Sequence, residues 1–379
     1  MTTAPPDTPP PDTSPGAPLD APPSDVPQPD LERIDVLEPS QAPGRPEDAD
    51  AVERAFAPLA EDAPDAAVDA SERRILVIGE ALVDVVHARD GAVTEHVGGS
   101  PANVALGLGR LGRGADLLTW LGRDDRGRRI AEHLAASGAA LVPGSDGADR
   151  TSVATAHLAD DGGATYEFDL TWRIPETWAS PPGPPIAVHT GSIAAVLEPG
   201  AADVVRILAA HRASATITYD PNLRPSLMPP PEATLPVVEQ VVAIADVVKV
   251  SDEDLAWLAP EDPMGLAREW VGAGPALVVV TRGGEGAVAW TAAGVRVDVP
   301  APHVTVADTV GAGDSFMAGL IDGLWGAGLL GPDARAALRA VDEATLRAVL
   351  ERCAVIAAIT VGRPGADPPT AAEVAAYGS

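Results

Sequence analysis

The chain has 379 residues, 46% of them hydrophobic, with a formal net charge of -29 and a single cysteine, Cys353. That length supplies one large domain or two ordinary ones with a sizeable core. The charge argues against nucleic acid or an anionic membrane as the main partner, because like charges repel on approach, and a lone cysteine excludes an intramolecular disulfide and a cysteine-based zinc site.

Residues 1–70 are rich in Pro, Ala, Asp and Ser, open with the run APPDTPPPDTSPGAP, and show no sustained apolar periodicity. They are expected to form a disordered, solvating tail that carries roughly half of the net charge. The N-terminus lacks the basic start and apolar run of a secretory signal, and no stretch approaches the length of a membrane span, so the expectation is a cytoplasmic protein.

From residue 71 the texture changes to apolar runs alternating with helical stretches. Residues 74–82 (RILVIGEAL) read as a buried strand, 103–111 as a helix, 116–121 as a strand and 127–137 as a helix. Further strands are expected at 216–220 (TITYD), 246–251 (DVVKVS) and 276–281 (ALVVVT). Short apolar strands separated by helices imply a parallel sheet covered on both faces, an α/β domain over residues 71–379. Segments 85–97 and 151–172 alternate polar with apolar and carry turn residues at Asp90-Gly91 and Asp161-Gly162-Gly163. They read as hairpins suited to a lid.

The densest chemistry is ADTVGAGDSF, residues 307–316. Gly311, Ala312 and Gly313 carry little or no side chain, so their N–H groups can approach an anion closely. The apolar run that follows begins a helix whose positive end faces that anion. Asp314, beside such a cradle, is a candidate base toward an alcohol; it also fits a plain helix cap.

Four other stretches carry chemistry. Gly98-Gly99-Ser100-Pro101-Ala102-Asn103 sets paired glycines before a helix start, with an amide on Asn103 that can donate to and accept from a sugar hydroxyl. Asp84 follows the first strand, where ligands bind in open α/β sheets. Asp220-Pro221-Asn222-Leu223-Arg224 ends a strand with a carboxylate, an amide and a guanidinium. Thr281-Arg282-Gly283-Gly284-Glu285-Gly286 ends another with a glycine-rich turn suited to nucleotide phosphates. Each has a plainer reading, respectively a capped loop, an exposed aspartate, a surface arginine and a simple hairpin.

Gly107, Gly109 and Gly112 spell G-x-G-x-x-G inside an apolar-periodic run rather than in the turn after a strand, which argues against a dinucleotide fold. Lys249, the only lysine, sits in a strand-like run and not in a G-x-x-x-x-G-K-[ST] loop, which argues against a P-loop NTPase or a protein kinase. The seven histidines are scattered, with no H-E-x-x-H pattern.

In order along residues 74–369, GEALVD, GGSPANVALGLGRLG, WLGRDDRG, DPNLRP, KVSDEDL, VVVTRGGEGAVAW and DTVGAGDSFMAGL resemble the PfkB, or ribokinase-like, carbohydrate kinase family, and its fructokinase branch in particular. The resemblance implies a three-layer α/β/α sandwich with a mainly parallel central sheet and a small β-sheet lid. It implies ATP-dependent phosphorylation of a sugar hydroxyl, fructose to fructose 6-phosphate first, with 2-keto-3-deoxygluconate or another sugar of the family as the alternative, and ribose or a nucleoside after those. It makes Asp314 the catalytic base and Gly311, Ala312 and Gly313 the anion hole. Asp84, Gly98, Gly99 and Asn103 match the sugar site; Thr281, Gly283 and Gly286 match the turn over the nucleotide phosphates; Asn222 and Arg224 lie where the family meets nucleotide or substrate. Asp308 and residues 360–365 fall where many members bind a monovalent cation, which implies K+. Where much of the family has an N-x-x-E motif tuning Mg2+, this chain has Ser251-Asp252-Glu253-Asp254, so the shorter Asp254 is the candidate metal contact. The implied partners are a sugar and ATP, with a homodimer formed through the lid. A sensing module that binds without turnover is the competing reading, and the intact GAGD argues against it.

Overall fold

The computed structural model describes residues 73–88, 91–158, 164–179 and 183–377. All lie within the unit Asp65–Ser379. The expected tail over 1–70 falls outside the described residues, as do residues 89–90 and 159–163 in the two lid turns.

In chain order the strands are β1 (Ile75–Ile78), β2 (Leu82–His87), β3 (Val93–Gly98), β4 (Ala115–Leu118), β5 (Ala139–Leu141), β6 (Val153–Leu158), β7 (Ala164–Asp169), β8 (Ala187–Gly191), β9 (Thr216–Asp220), β10 (Val247–Ser251), β11 (Leu277–Thr281), β12 (Ala287–Thr291) and β13 (Arg296–Val299). The α-helices are α1 (Ser100–Arg110), α2 (Asp125–Ala136), α3 (Gly200–His211), α4 (Pro231–Ile244), α5 (Asp252–Leu258), α6 (Pro263–Ala273), α7 (Ala312–Gly326), α8 (Arg335–Arg339), α9 (Glu343–Val361) and α10 (Ala371–Ala376).

Nine strands form the main sheet in the order β13-β12-β11-β10-β9-β8-β1-β4-β5. Every pair from β11 to β5 is parallel, and β12 and β13 add an antiparallel edge. Both faces are covered, which is why central strands read as unbroken apolar runs rather than alternating ones. Successive side chains point to opposite faces: Ile75 and Val77 join the core under α1, α2, α7 and α9, whereas Leu76 and Ile78 join the core under α3 to α6.

Strand 74–82, expected as one element, is two. β1 ends at Ile78 and the chain starts a second sheet at Leu82. The apolar run hides the break because Ala81, Leu82 and Val83 are buried at the root of that second sheet. It is four-stranded, β3-β2-β6-β7, built from two antiparallel hairpins joined by the parallel β2–β6 pair. The G-x-G-x-x-G glycines start inside α1, where Gly107 abuts Ala318 of α7 and Gly109 abuts the Ser137 carbonyl. Gly107 and Gly109 serve close packing of helix on helix and loop, and Gly112, past the helix end with φ 84, makes the turn that follows.

Candidate active site

The chain builds β1, β4 and β5 outward in one direction and then returns to lay β8 on the other side of β1. Such a reversal opens a crevice at the carboxyl ends of the strands. Into it come Glu80 after β1, Ser192 after β8, Asn222 and Arg224 after β9, Ser251 at the end of β10 and Thr281 at the end of β11.

Asp314 lies in the first turn of α7 and is 6% exposed. Gly311, the residue before that helix, has φ 75, and a Cβ there would stand 2.6 Å from the Cβ of Ala366, so only glycine fits the turn. Helix geometry leaves first-turn N–H groups without intrahelical acceptors; here the Ala312 N–H leans on the Thr309 carbonyl at 3.3 Å. The Asp314 carboxylate is held from two other segments. Ser100 Oγ donates to Oδ1 at 2.7 Å, Asn103 Nδ2 to Oδ2 at 2.8 Å, and Asn222 Nδ2 to Oδ1 at 3.1 Å. Asn222 also donates to Ser100 Oγ at 2.7 Å, and its φ of 37 is a left-handed conformation that asparagine tolerates.

Asp84 sits within β2, not at the end of the main sheet, with His96 as its partner across β3. Its carboxylate rests on the backbone of Gly98, where a Cβ would meet Oδ2 at 2.1 Å. Burial raises the Asp84 pKa, while the charges of His96 and Arg224 pull it back. Gly99 precedes α1 with φ 100. Arg224 folds onto its own loop, donating through Nη1 to the carbonyls of Asn222 and Leu223 and to Asn222 Oδ1.

Asp254, read from the sequence as a metal contact, spends both oxygens on main-chain donors. Oδ1 accepts from Leu223 N at 2.9 Å, and Oδ2 closes a capping box with Ser251 at the start of α5. It ties the Asn222 loop to that helix. Asp308 likewise accepts from Val310 N at 3.0 Å and Gly365 N at 2.9 Å, clasping the segment before α7 to the one after α9. Thr281, Gly283 and Gly286 form the hairpin turn from β11 to β12, with Thr281 beside Ser251 in register. They share no hydrogen bond with Asp314 among those of the described residues.

Several further buried polar groups of this crevice were not among the site residues expected from the sequence. Ser100 lies three residues before Asn103, hence on the same helix face, and that spacing was the available clue. Glu80 is 7% exposed, hydrogen-bonds Ser192, and keeps Oε2 without a partner; burial pushes its pKa up to about 7. Ser192 has φ 55. Asp220 and Lys249 pair at 2.9 Å with the carboxylate fully buried; burial raises the Asp220 pKa and the ammonium opposes that rise. Among the described residues no group of three or more His, Cys, Asp and Glu is placed to hold a metal, and no helix is long and apolar enough to cross a membrane.

Residues 72–372 match the family model described as pfkB family carbohydrate kinase. The chain is 34% identical over 274 residues to a fructokinase of Klebsiella pneumoniae, covering 70% of this chain and 88% of that protein. A fructokinase with bound ATP from Xylella fastidiosa shares the fold with a TM-score of 0.68 at 24% identity, covering 80% of this chain and 97% of that one. A fructokinase double mutant from Vibrio cholerae O395, solved with fructose, ADP and potassium ion bound, matches with a TM-score of 0.66 at 25% identity over 80% and 98% of the two chains. The chain belongs to the pfkB family of carbohydrate kinases, with a large mainly parallel sheet between two helical layers and a small separate sheet.

Proposed function

We propose that this chain transfers the γ-phosphoryl group of ATP to a hydroxyl of fructose, giving fructose 6-phosphate and ADP. The observation that carries the reading is the Asp314 carboxylate, oriented by Ser100, Asn103 and Asn222 at the start of a helix that follows a glycine turn. The resemblance to a fructokinase at 34% identity supports the choice of sugar. Asp84, Gly98, Gly99 and Asn103 hold the sugar, and the four-stranded sheet closes over it and keeps water out.

Oδ1 already accepts from Ser100 and Asn222, whereas Oδ2 accepts only from Asn103 among these donors. A carboxylate oxygen has two lone-pair sites, so Oδ2 is the atom left to take the proton of the sugar hydroxyl. As that proton moves to Asp314, the hydroxyl oxygen bonds to the γ-phosphorus and the bond to the ADP oxygen breaks. N–H groups of the Gly311–Gly313 turn offset charge on the transferring group. Thr281, Gly283 and Gly286 line the nucleotide phosphates, and Arg224 swings from its own loop to meet an anionic oxygen.

Mg2+, if brought by the nucleotide, would supply charge neutralisation at the phosphates. Among the described residues the carboxylates do not form a cage of their own, so Asp254 is assigned to the loop it ties. For K+ the candidate place is the clasp in which Asp308 accepts from Val310 N and Gly365 N and the Val361 carbonyl accepts from Ala307 N and Asp308 N, so an ion there would have to displace N–H donors from these oxygens. Thermal stability in K+ against Na+ checks that site independently of turnover. A homodimer would form through the lid edges β3 and β7, and light scattering measures it.

The test is ADP release over fructose, 2-keto-3-deoxygluconate, ribose and adenosine, with and without K+. Fructose should give the highest kcat/KM. Asp314→Asn should lower turnover by about three powers of ten or more, since both proton transfer and orientation are lost. A folded Asp314→Asn variant with near-normal turnover would sink the assignment.

A further inference from the structure

Lys249 is the only lysine in the chain, and it is 3% exposed. Its ammonium makes one hydrogen bond among the described residues, to Asp220 Oδ2 at 2.9 Å, and so joins the end of β9 to the middle of β10. Taking such a pair out of water costs several kcal/mol per ion. Its strand neighbours Val247, Val248 and Val250 are fully buried valines, and an apolar residue at 249 would fill the same place without that cost. Packing alone therefore gives no reason for a lysine here.

Two observations aim the pair at the crevice. A Cβ built on Gly313 would meet Lys249 Nζ at 2.9 Å and no other atom within 4 Å beyond its chain neighbours and its own helix backbone. The ammonium thus lies directly against the last residue of the Gly311–Gly313 turn, and a side chain at 313 would press on it. Asp220, for its part, engages Lys249 through Oδ2 only, while Oδ1 is buried without a partner. One carboxylate oxygen on one ammonium proton leaves two N–H directions of the lysine for other uses.

We propose that Lys249 is a fixed cation behind the Gly311–Gly313 turn, held in place by Asp220, that offsets the negative charge gathering on the transferred phosphoryl group. The proposal rests on the phosphoryl-transfer reading above. Lys249 is too enclosed to be a surface contact for substrate; it acts through the turn, as a positioning residue. A charge held in a water-poor site acts far more strongly than the same charge in water, and it needs no reorganisation when the reaction occurs. The competing account is an ion pair that only joins two strands.

Lys249→Met leaves Asp220 buried and uncompensated, so a loss of Tm is expected and turnover alone would be ambiguous. Lys249→Met combined with Asp220→Asn removes both charges at nearly constant volume. In its folded form this double variant should lose about 100-fold in kcat, the scale of removing one preorganised electrostatic partner. KM for fructose and for MgATP should stay within about threefold, a split that a merely structural role does not produce. A folded double variant with kcat within about threefold of wild type overturns the proposal. Lys249→Gln is the second variant, keeping an N–H donor for Asp220 without the charge; it should show the same fall in kcat, and full turnover overturns the proposal equally. Asp314→Asn, assayed in parallel, separates the two failures. Normal turnover there removes the phosphoryl-transfer reading itself, whereas an inactive Asp314→Asn beside fully active Lys249 variants removes only the role of Lys249.

Discussion

Ser100 Oγ donates to Asp314 Oδ1 across 2.7 Å, although 214 positions separate them in the chain. Each residue stands in the first turn of its helix, α1 or α7, so two helix starts meet with a donor facing an acceptor. Asn222 closes the triangle by donating to both, at 2.7 Å to Ser100 Oγ and 3.1 Å to Asp314 Oδ1. Because the Asn222 amide occupies an acceptor site of the serine oxygen, the serine proton points at Asp314.

Removing that hydroxyl should loosen the carboxylate without unfolding the protein. Hydrogen bonds to charged groups are worth roughly 1.5–3 kcal/mol, so Ser100→Ala should lower kcat by about tenfold to a hundredfold. Fructose KM should change less, and circular dichroism should be unaltered. Unchanged kcat would mean that Ser100 does not orient Asp314.

The capping box at Ser251 and the bond to Leu223 N make Asp254 a stability residue. Asp254→Ala should cost about 1–2 kcal/mol, the value of a lost cap plus a main-chain donor left unpaired. Chemical unfolding reads the stability, and a rise in MgATP or fructose KM reads the displaced Asn222 loop. Equal stability of variant and wild type would contradict this role.

Glu80 should leave a pH signature on stability. Burial pushes its pKa from 4.5 up to about 7, so between those values the folded state keeps a proton that the unfolded chain has released. Stability from this group is whole below pH 4.5 and is lost as pH rises through 7, by about 1.4 kcal/mol per unit and roughly 3 in all. Glu80→Gln cannot titrate, so the wild-type stability measured relative to it should fall across that window and level off above it. Asp220 and His189, also buried and titratable, are common to both proteins and cancel in the difference. Urea midpoints at half-unit pH steps give the curve; a flat difference contradicts it.

Glu95 fastens the small sheet to the body. Its carboxylate, on β3, is paired with Arg126 and Arg129 of α2, the latter at 2.6 Å, and the bond from Arg126 lowers its pKa. These groups are partly exposed, so the tie is modest and salt-sensitive. Glu95→Gln should raise fructose KM by about two- to fivefold and leave kcat within about twofold, and added salt should narrow the gap between wild type and variant.

Much of this architecture was legible in the residues. TITYD, VVKVS and LVVVT became β9, β10 and β11 because strands buried on both faces must be apolar throughout. The alternating segments became the antiparallel hairpins β2–β3 and β6–β7. Less legible was the end of β1, since RILVIGEAL stays apolar while passing from one sheet to another. In the site, Asn103 and Asn222, drawn from two separate motifs, both donate to Asp314. Ser100 passed unnoticed because a serine before a helix reads as a cap, and Glu80 because nothing local says that a loop carboxyl will be enclosed. The use of Asp254 depends on where Leu223 lies, a relation of two loops that no spacing encodes.

The triangle of Ser100, Asn222 and Asp314 also sets a time. Donors at 100, 103 and 222 leave the ribosome well before the acceptor at 314. Until α7 emerges and docks on α1, a growing chain owns every holder and nothing to hold. On the proposed reading, a chain that stops short of α7 lacks the group assigned to take the sugar proton.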